Sequence, residues 1–286
     1  MHRPRPSFRP RALLAAVPVA GLVVMGTVGT ASAAHSPANS QTALRVAVQR
    51  LLANWHPTNH AIKGVALKKV GSTNWSGYAD TGSGFTSLSA KWTEPKVSNC
   101  STSGPLKAVV FWVGIDGFSS QSVEQGGTGA LCGQGQALVY FTWWEVFPTN
   151  SIQVVGASVK PGDKISASVV RKGTSYTIKV TDSTTSGNSF TKTAACKGVT
   201  GGCKNNSAEW IGERPSTSSG PLPLAKFSTW TVTAATVKAG SKSGTIKSFP
   251  DDQITMFNKK GGHVLAQPGP LNSAGNSFND VWKASS

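Results

Sequence analysis

From Asn74 to its last residue the chain contains no convincing helix. Short runs rich in Val, Thr, Ile, Phe and Trp alternate with clusters of Gly, Ser, Asn and Pro. β-branched and aromatic side chains suit a pleated, half-buried surface, and the clusters between them supply the φ values that chain reversal needs. The clearest predicted strands are Phe85–Thr93, Ala108–Ile115, Gln136–Phe147, Lys164–Val170, Tyr176–Thr181, Ala208–Glu213, Ala225–Ala234 and Gln253–Phe257. Pro161-Gly162-Asp163 and Ser186-Gly187-Asn188 read as turns between them. The pattern predicts an all-β domain, residues 72–286, built as a two-layer antiparallel β-sandwich of the concanavalin A-like or jelly-roll type.

The residues ahead of this domain differ in texture. Arg3, Arg5, Arg9 and Arg11 precede an apolar stretch, Ala12 to Val28, that closes on Ala31-Ser32-Ala33, the layout of a cleaved secretory signal over residues 1–33. Pro18 and Gly21 interrupt that stretch, which disfavours a retained membrane span. Between residues 34 and 71, Leu44, Val48, Leu51, Leu52 and Trp55 recur at helical spacing up to Pro57. Lys63, Lys68 and Lys69 follow as a basic linker. Helix and linker together read as a pro-segment that covers the cleft, with one of these lysines facing Glu213.

Export would place Cys100, Cys132, Cys196 and Cys203 in an oxidising compartment. Cys196 and Cys203 flank a Gly-rich loop, so a local bridge there leaves Cys100 for Cys132. Zinc is disfavoured because no Cys-x-x-Cys spacing or neighbouring His accompanies them. Loss of residues 1–33 removes four Arg from 28 basic residues, leaving 24 against 12 acidic, a formal +12. The Lys residues are scattered singly rather than clustered with aromatics, which favours a solvated surface over a nucleic-acid partner.

Few residue types here can do hydrolytic chemistry. His35, His56 and His60 lie ahead of the domain, so a Ser-His-Asp triad would rest on His263, and no Gly-x-Ser-x-Gly elbow is present. The carboxyl groups set among aromatics stand out: Glu145 in Phe141-Thr-Trp-Trp-Glu-Val-Phe-Pro148, and Glu209 and Glu213 in Ala208-Glu-Trp-Ile-Gly-Glu-Arg-Pro215. Apolar surroundings raise a carboxyl pKa, which suits a group that acts as base and then as acid. Strand alternation puts Glu209, Ile211 and Glu213 on one face, with Trp210 and Gly212 on the other. Gln125, in Gln121-Ser-Val-Glu-Gln-Gly-Gly127, offers an amide that donates to an oxyanion and does not titrate.

Asn74-Trp-Ser-Gly-Tyr78, Trp112-Val-Gly-Ile-Asp-Gly117, Gln125-Gly126, Trp143-Trp-Glu145 with Pro148, Ala208-Glu-Trp-Ile-Gly-Glu213 and Asp252-Gln-Ile-Thr255 occur in an order that resembles the glutamic peptidases, or eqolisins. The resemblance spans about Thr73 to Trp282. It implies a secreted acid endopeptidase in which Glu213 activates water and Gln125 stabilises the tetrahedral oxyanion. Trp112, Asp116, Trp143, Glu145 and Glu209 would be supporting or substrate-binding residues. It implies protein or peptide substrates, no cofactor or metal, no nucleic-acid or membrane partner once the signal is cut, and a monomer. A carbohydrate-binding or glycoside-hydrolysing sandwich is the alternative, with Glu145 and Glu213 or Glu209 as the acid pair and Trp143 and Trp144 as a sugar platform.

Overall fold

The computed structural model describes residues 37–52, 55, 61–62, 69–200, 202–258 and 262–286, with main chain only for 37–40, 61–62 and 69. The expected signal, residues 1–33, and the side chains of Lys63, Lys68 and Lys69 lie outside the described residues. The helix is α1 (Pro37–Leu52). The longer strands are β1 (Lys69–Ser72), β2 (Trp75–Thr81), β3 (Phe85–Thr93), β4 (Lys107–Ile115), β5 (Val123–Gly133), β6 (Gln136–Phe147), β7 (Asn150–Gly156), β8 (Lys164–Lys172), β9 (Ser175–Asp182), β10 (Phe190–Ala195), β11 (Ser207–Glu213), β12 (Trp230–Ala239), β13 (Asp251–Phe257), β14 (Val264–Pro268) and β15 (Phe278–Trp282).

These strands form two facing sheets. The front sheet runs β7-β6-β5-β4-β11-β2-β13, antiparallel at every step, with β1 added parallel to β13. The rear sheet runs β10-β9-β8-β3-β12, also antiparallel. β12 belongs to both: Trp230–Val232 pair with β15 in the front sheet, and Thr233–Ala239 pair with β3 in the rear. Ala234 at φ 51° and a register shift between Thr233 and Thr236 mark the bulge where the strand changes layer. The expected strand Ala225–Ala234 is therefore corrected to Trp230–Ala239. Its first residues form a two-residue strand, Lys226–Phe227, and Ser228 then donates its backbone N–H to Lys96 O.

Alternation sorts the front-sheet side chains into two apolar layers. Phe111, Val113, Ile115 and Trp210 point between the sheets and meet Ile165, Val169 and Ile178. Trp75, Val110, Trp112, Phe141, Trp143 and Ile211 point the other way. An apolar outer face would be unstable in water, and here it is covered by Val48, Leu52 and Trp55. The helix ends at Leu52, short of Pro57, and the Trp55 backbone N–H closes a further turn on Leu52 O at 2.8 Å. Leu44, counted in the apolar face from spacing alone, is exposed. Two disulfides, Cys100–Cys132 and Cys196–Cys203, match the expected pairing and fit an extracellular protein.

Of the twelve Asp and Glu in the chain, all but Asp251 and Asp252 are buried, so the exposed charge is almost wholly cationic. Burial without a cationic partner raises a carboxyl pKa. Away from the front face, burial pushes Asp80 up to about 9, Glu94 up to about 8 and Asp280 up to about 7. Each folded-state value lies above the unfolded one, so the stability these groups carry is full below about pH 4 and is lost progressively as pH rises from there to the folded values of about 7 to 9. The thermal unfolding midpoint should therefore fall as pH is raised from 4 to 9. A midpoint that is flat or climbs over that range contradicts the assignment.

Candidate active site

The strand registers set three rows across the outer face of the front sheet. The first is Glu145, Gln125, Gly114, Glu209 and Ala79; the second Trp143, Gly127, Trp112, Ile211 and Gly77; the third Phe141, Gly129, Val110, Glu213 and Trp75. Gln125 and Glu213 thus share a face, two strands and two rows apart. The indole of Trp112 spans the gap. A Cβ built at Gly114, next to Gln125, would come within 2.8 Å of its benzo edge, while its Nε1 donates to Glu213 Oε2 at 2.9 Å. Glycine at 114 is therefore a spatial requirement of that ring's position.

Glu213 is 1% exposed. Asn74 Nδ2 donates to its Oε1 at 3.1 Å. Trp75 and Trp55 turn their indole N–H groups toward the same carboxyl, outside hydrogen-bonding geometry yet near enough to favour its ionised form. Burial outweighs all these donors and pushes Glu213 up to about 8. Gln125 Nε2 donates to Glu145 Oε2 at 2.7 Å, which leaves one Nε2 hydrogen for another acceptor. Burial pushes Glu145 up to about 8, and the nearby Glu213 charge adds to the rise.

The other expected residues divide. Trp143 faces this group, its Nε1 donating to Thr128 O at 3.0 Å and its ring meeting Trp55. Asp116, at φ 66°, instead accepts from the backbone N–H groups of Asn205 and Asn206 at 2.9 and 3.0 Å and so ties that turn to the end of β4. Glu209 shares the face of Glu213, as alternation predicts, but lies beside Asp116 and Glu124. Burial first, and then those two charges, raise it well above the ordinary carboxylate range. Asn74, Trp75 and Trp55 are neighbours of Glu213 that sequence alone does not pair with it. Asn74 and Trp75 sit in a motif quoted above, and their register with β11 is what brings them in; Trp55 carried only a helical-spacing signal.

An amide, two carboxyl groups and three indoles gathered on one sheet face, with Trp55 docked over them, form a candidate acid–base site on a β-sandwich. Residues 73–272 match the profile of the Peptidase A4 family. Aspergillopepsin-2 of Aspergillus niger is 27% identical over 213 residues, spanning 68% of this chain and 73% of that one. Scytalido-glutamic peptidase, solved with a transition state analog inhibitor, superposes with a TM-score of 0.61 at 23% identity, covering 74% of this chain and 98% of the other. SCP-B, a member of the eqolisin family solved with the tripeptide Ala-Ile-His, superposes at 0.57 with the same identity and coverage. The chain belongs to the Peptidase A4, or eqolisin, family and is a glutamic peptidase, a hydrolase of peptide bonds.

The Trp112 hydrogen bond lowers the Glu213 pKa against the larger effect of burial. Trp112→Phe keeps a ring and deletes the donor, so the Glu213 carboxyl should titrate at a still higher pH. Carbon-13 NMR of the labelled carboxyl reads this directly, and an unchanged or lowered titration midpoint contradicts the account.

Proposed function

We propose that Glu213 and Gln125 are the reacting pair of an acid endopeptidase. The observation that carries this is the single Trp112 indole that hydrogen-bonds Glu213 and lies against the backbone beside Gln125. Glu213, ionised, takes a proton from water as that water attacks the scissile carbonyl. The free Nε2 hydrogen of Gln125 donates to the oxygen as it gains charge, and Glu213 then returns its proton to the leaving amine as the C–N bond breaks. Glu145 is a positioning residue: by holding one Nε2 hydrogen it aims the other. The carbohydrate alternative loses its platform, since Trp143 and Trp144 are neighbours on β6 and point to opposite faces.

Residues 34–71 act in this reading as the pro-segment of an exported precursor. Val48, Leu52 and Trp55 cover the face that a substrate would need. Trp55 is a described side chain of this segment at Glu213, while Lys63, Lys68 and Lys69 lie outside the described side chains. Its removal also wets the carboxyl. Because burial is the largest cause of the raised pKa, wetting lowers it and favours the ionised base at acidic pH.

Glu213→Gln should lower kcat on casein or a peptide at acidic pH by about 10³-fold, within the range for loss of a general base. Gln125→Ala should cost roughly 10²-fold, as for an oxyanion donor. Full activity in either variant, with the fold intact by circular dichroism, overturns the pair. The secreted chain should also be latent until the segment ahead of β1 is cut, activity rising in step with that cleavage on acid incubation. Equal activity of uncut and cut chains contradicts the pro-segment assignment.

A further inference from the structure

Trp55 belongs to neither sheet, yet it is 2% exposed. Its ring meets Trp143 edge-on, centroids 4.9 Å apart at 72°, and its indole N–H faces Glu213. The helix ahead of it is fixed in a way that imitates a peptide. Gln49 Nε2 donates to Ile152 O at 2.7 Å, and its Oε1 accepts from Val154 N at 2.7 Å, the two bonds a further strand would make with the edge of β7. One segment thus satisfies an open strand edge and seats an aromatic side chain against the carboxyl that serves as base.

We propose that the hollow filled by Trp55 is the substrate subsite next to the scissile bond, and that it selects a large aromatic side chain there. This rests on Glu213 being the general base, since contact with that carboxyl is what places the hollow beside the reacting carbonyl. Its walls are stiff. Trp143 is fully buried and held by its hydrogen bond to Thr128 O, and Trp75 and Trp112 brace each other at 5.0 Å and 78°. A phenyl or indole ring fills such a space with edge-to-face contacts, whereas Ala or Gly leaves a gap that rigid walls do not close. An acidic side chain would bring a second carboxyl to Glu213 and is excluded by desolvation and repulsion.

The test uses the secreted chain after acid incubation has cut it ahead of β1, which empties the hollow, and quenched peptides that differ at one residue beside the cut bond. At acidic pH, kcat/KM for Trp, Phe and Tyr should exceed that for Ala and Gly by about 30-fold, within the range a hydrophobic pocket provides. Adding Trp143→Ala should flatten that ratio. Equal kcat/KM across the series overturns the subsite. If no peptide is cut, the Gln125–Glu213 reading fails, and calorimetry then judges the hollow: tenfold tighter binding of N-acetyltryptophanamide than of N-acetylalaninamide keeps it as an aromatic site, and equal binding or none removes it. Should Trp143→Ala fold poorly, Trp143→Leu enters the same series.

Discussion

The structure turns on a carboxyl group held almost without water. Glu213 receives one indole hydrogen bond and one amide hydrogen bond, with two more indoles facing it. Among the described residues none of these partners is a cation, and burial holds the group near neutral until its surroundings change. On the front face Trp75 and Trp112 brace each other, and Trp55, packed on Trp143, covers the carboxyl. In the proposed mechanism the chemistry and its control both depend on whether water reaches this one group.

The sandwich makes the arrangement possible by being covered on both faces of one sheet. β4, β5 and β11 are buried along nearly their whole length, because the rear sheet lies behind them and α1 with Trp55 lies in front. Polar side chains on such strands have no solvent, so each is tied to a neighbour or held neutral. Glu124, Glu209 and Glu213 are the carboxyl groups on these strands, and all three are raised by burial. With other carboxyl groups buried elsewhere in the sandwich, the exposed charge is mostly cationic without any clustered basic motif.

The sequence was legible where side-chain alternation carries the information. Glu209, Ile211 and Glu213 do share a face, and Trp210 turns away toward the rear sheet. β5 escaped because its glycines lower strand propensity. They are there for close approach: a Cβ at Gly129 would come within 2.7 Å of both Val110 and Phe141. The crossing of β12 between layers escaped as well, since a bulge at an ordinary alanine leaves no compositional mark. Within the site, Gln125 and Glu213 stood out by motif and chemistry. Trp55 did not, because its partner Trp143 lies 88 residues further along the chain and only the docked helix joins them.

A structure of the chain cleaved ahead of β1, bound to a peptide bearing a tetrahedral analogue of the hydrolysed bond, tests the central claim most directly. The account predicts one oxygen of the analogue on Gln125 Nε2 and the other on Glu213, with both side chains still tied to Glu145 and Trp112. An analogue bound away from these groups, or reaching one of them without the other, would contradict it.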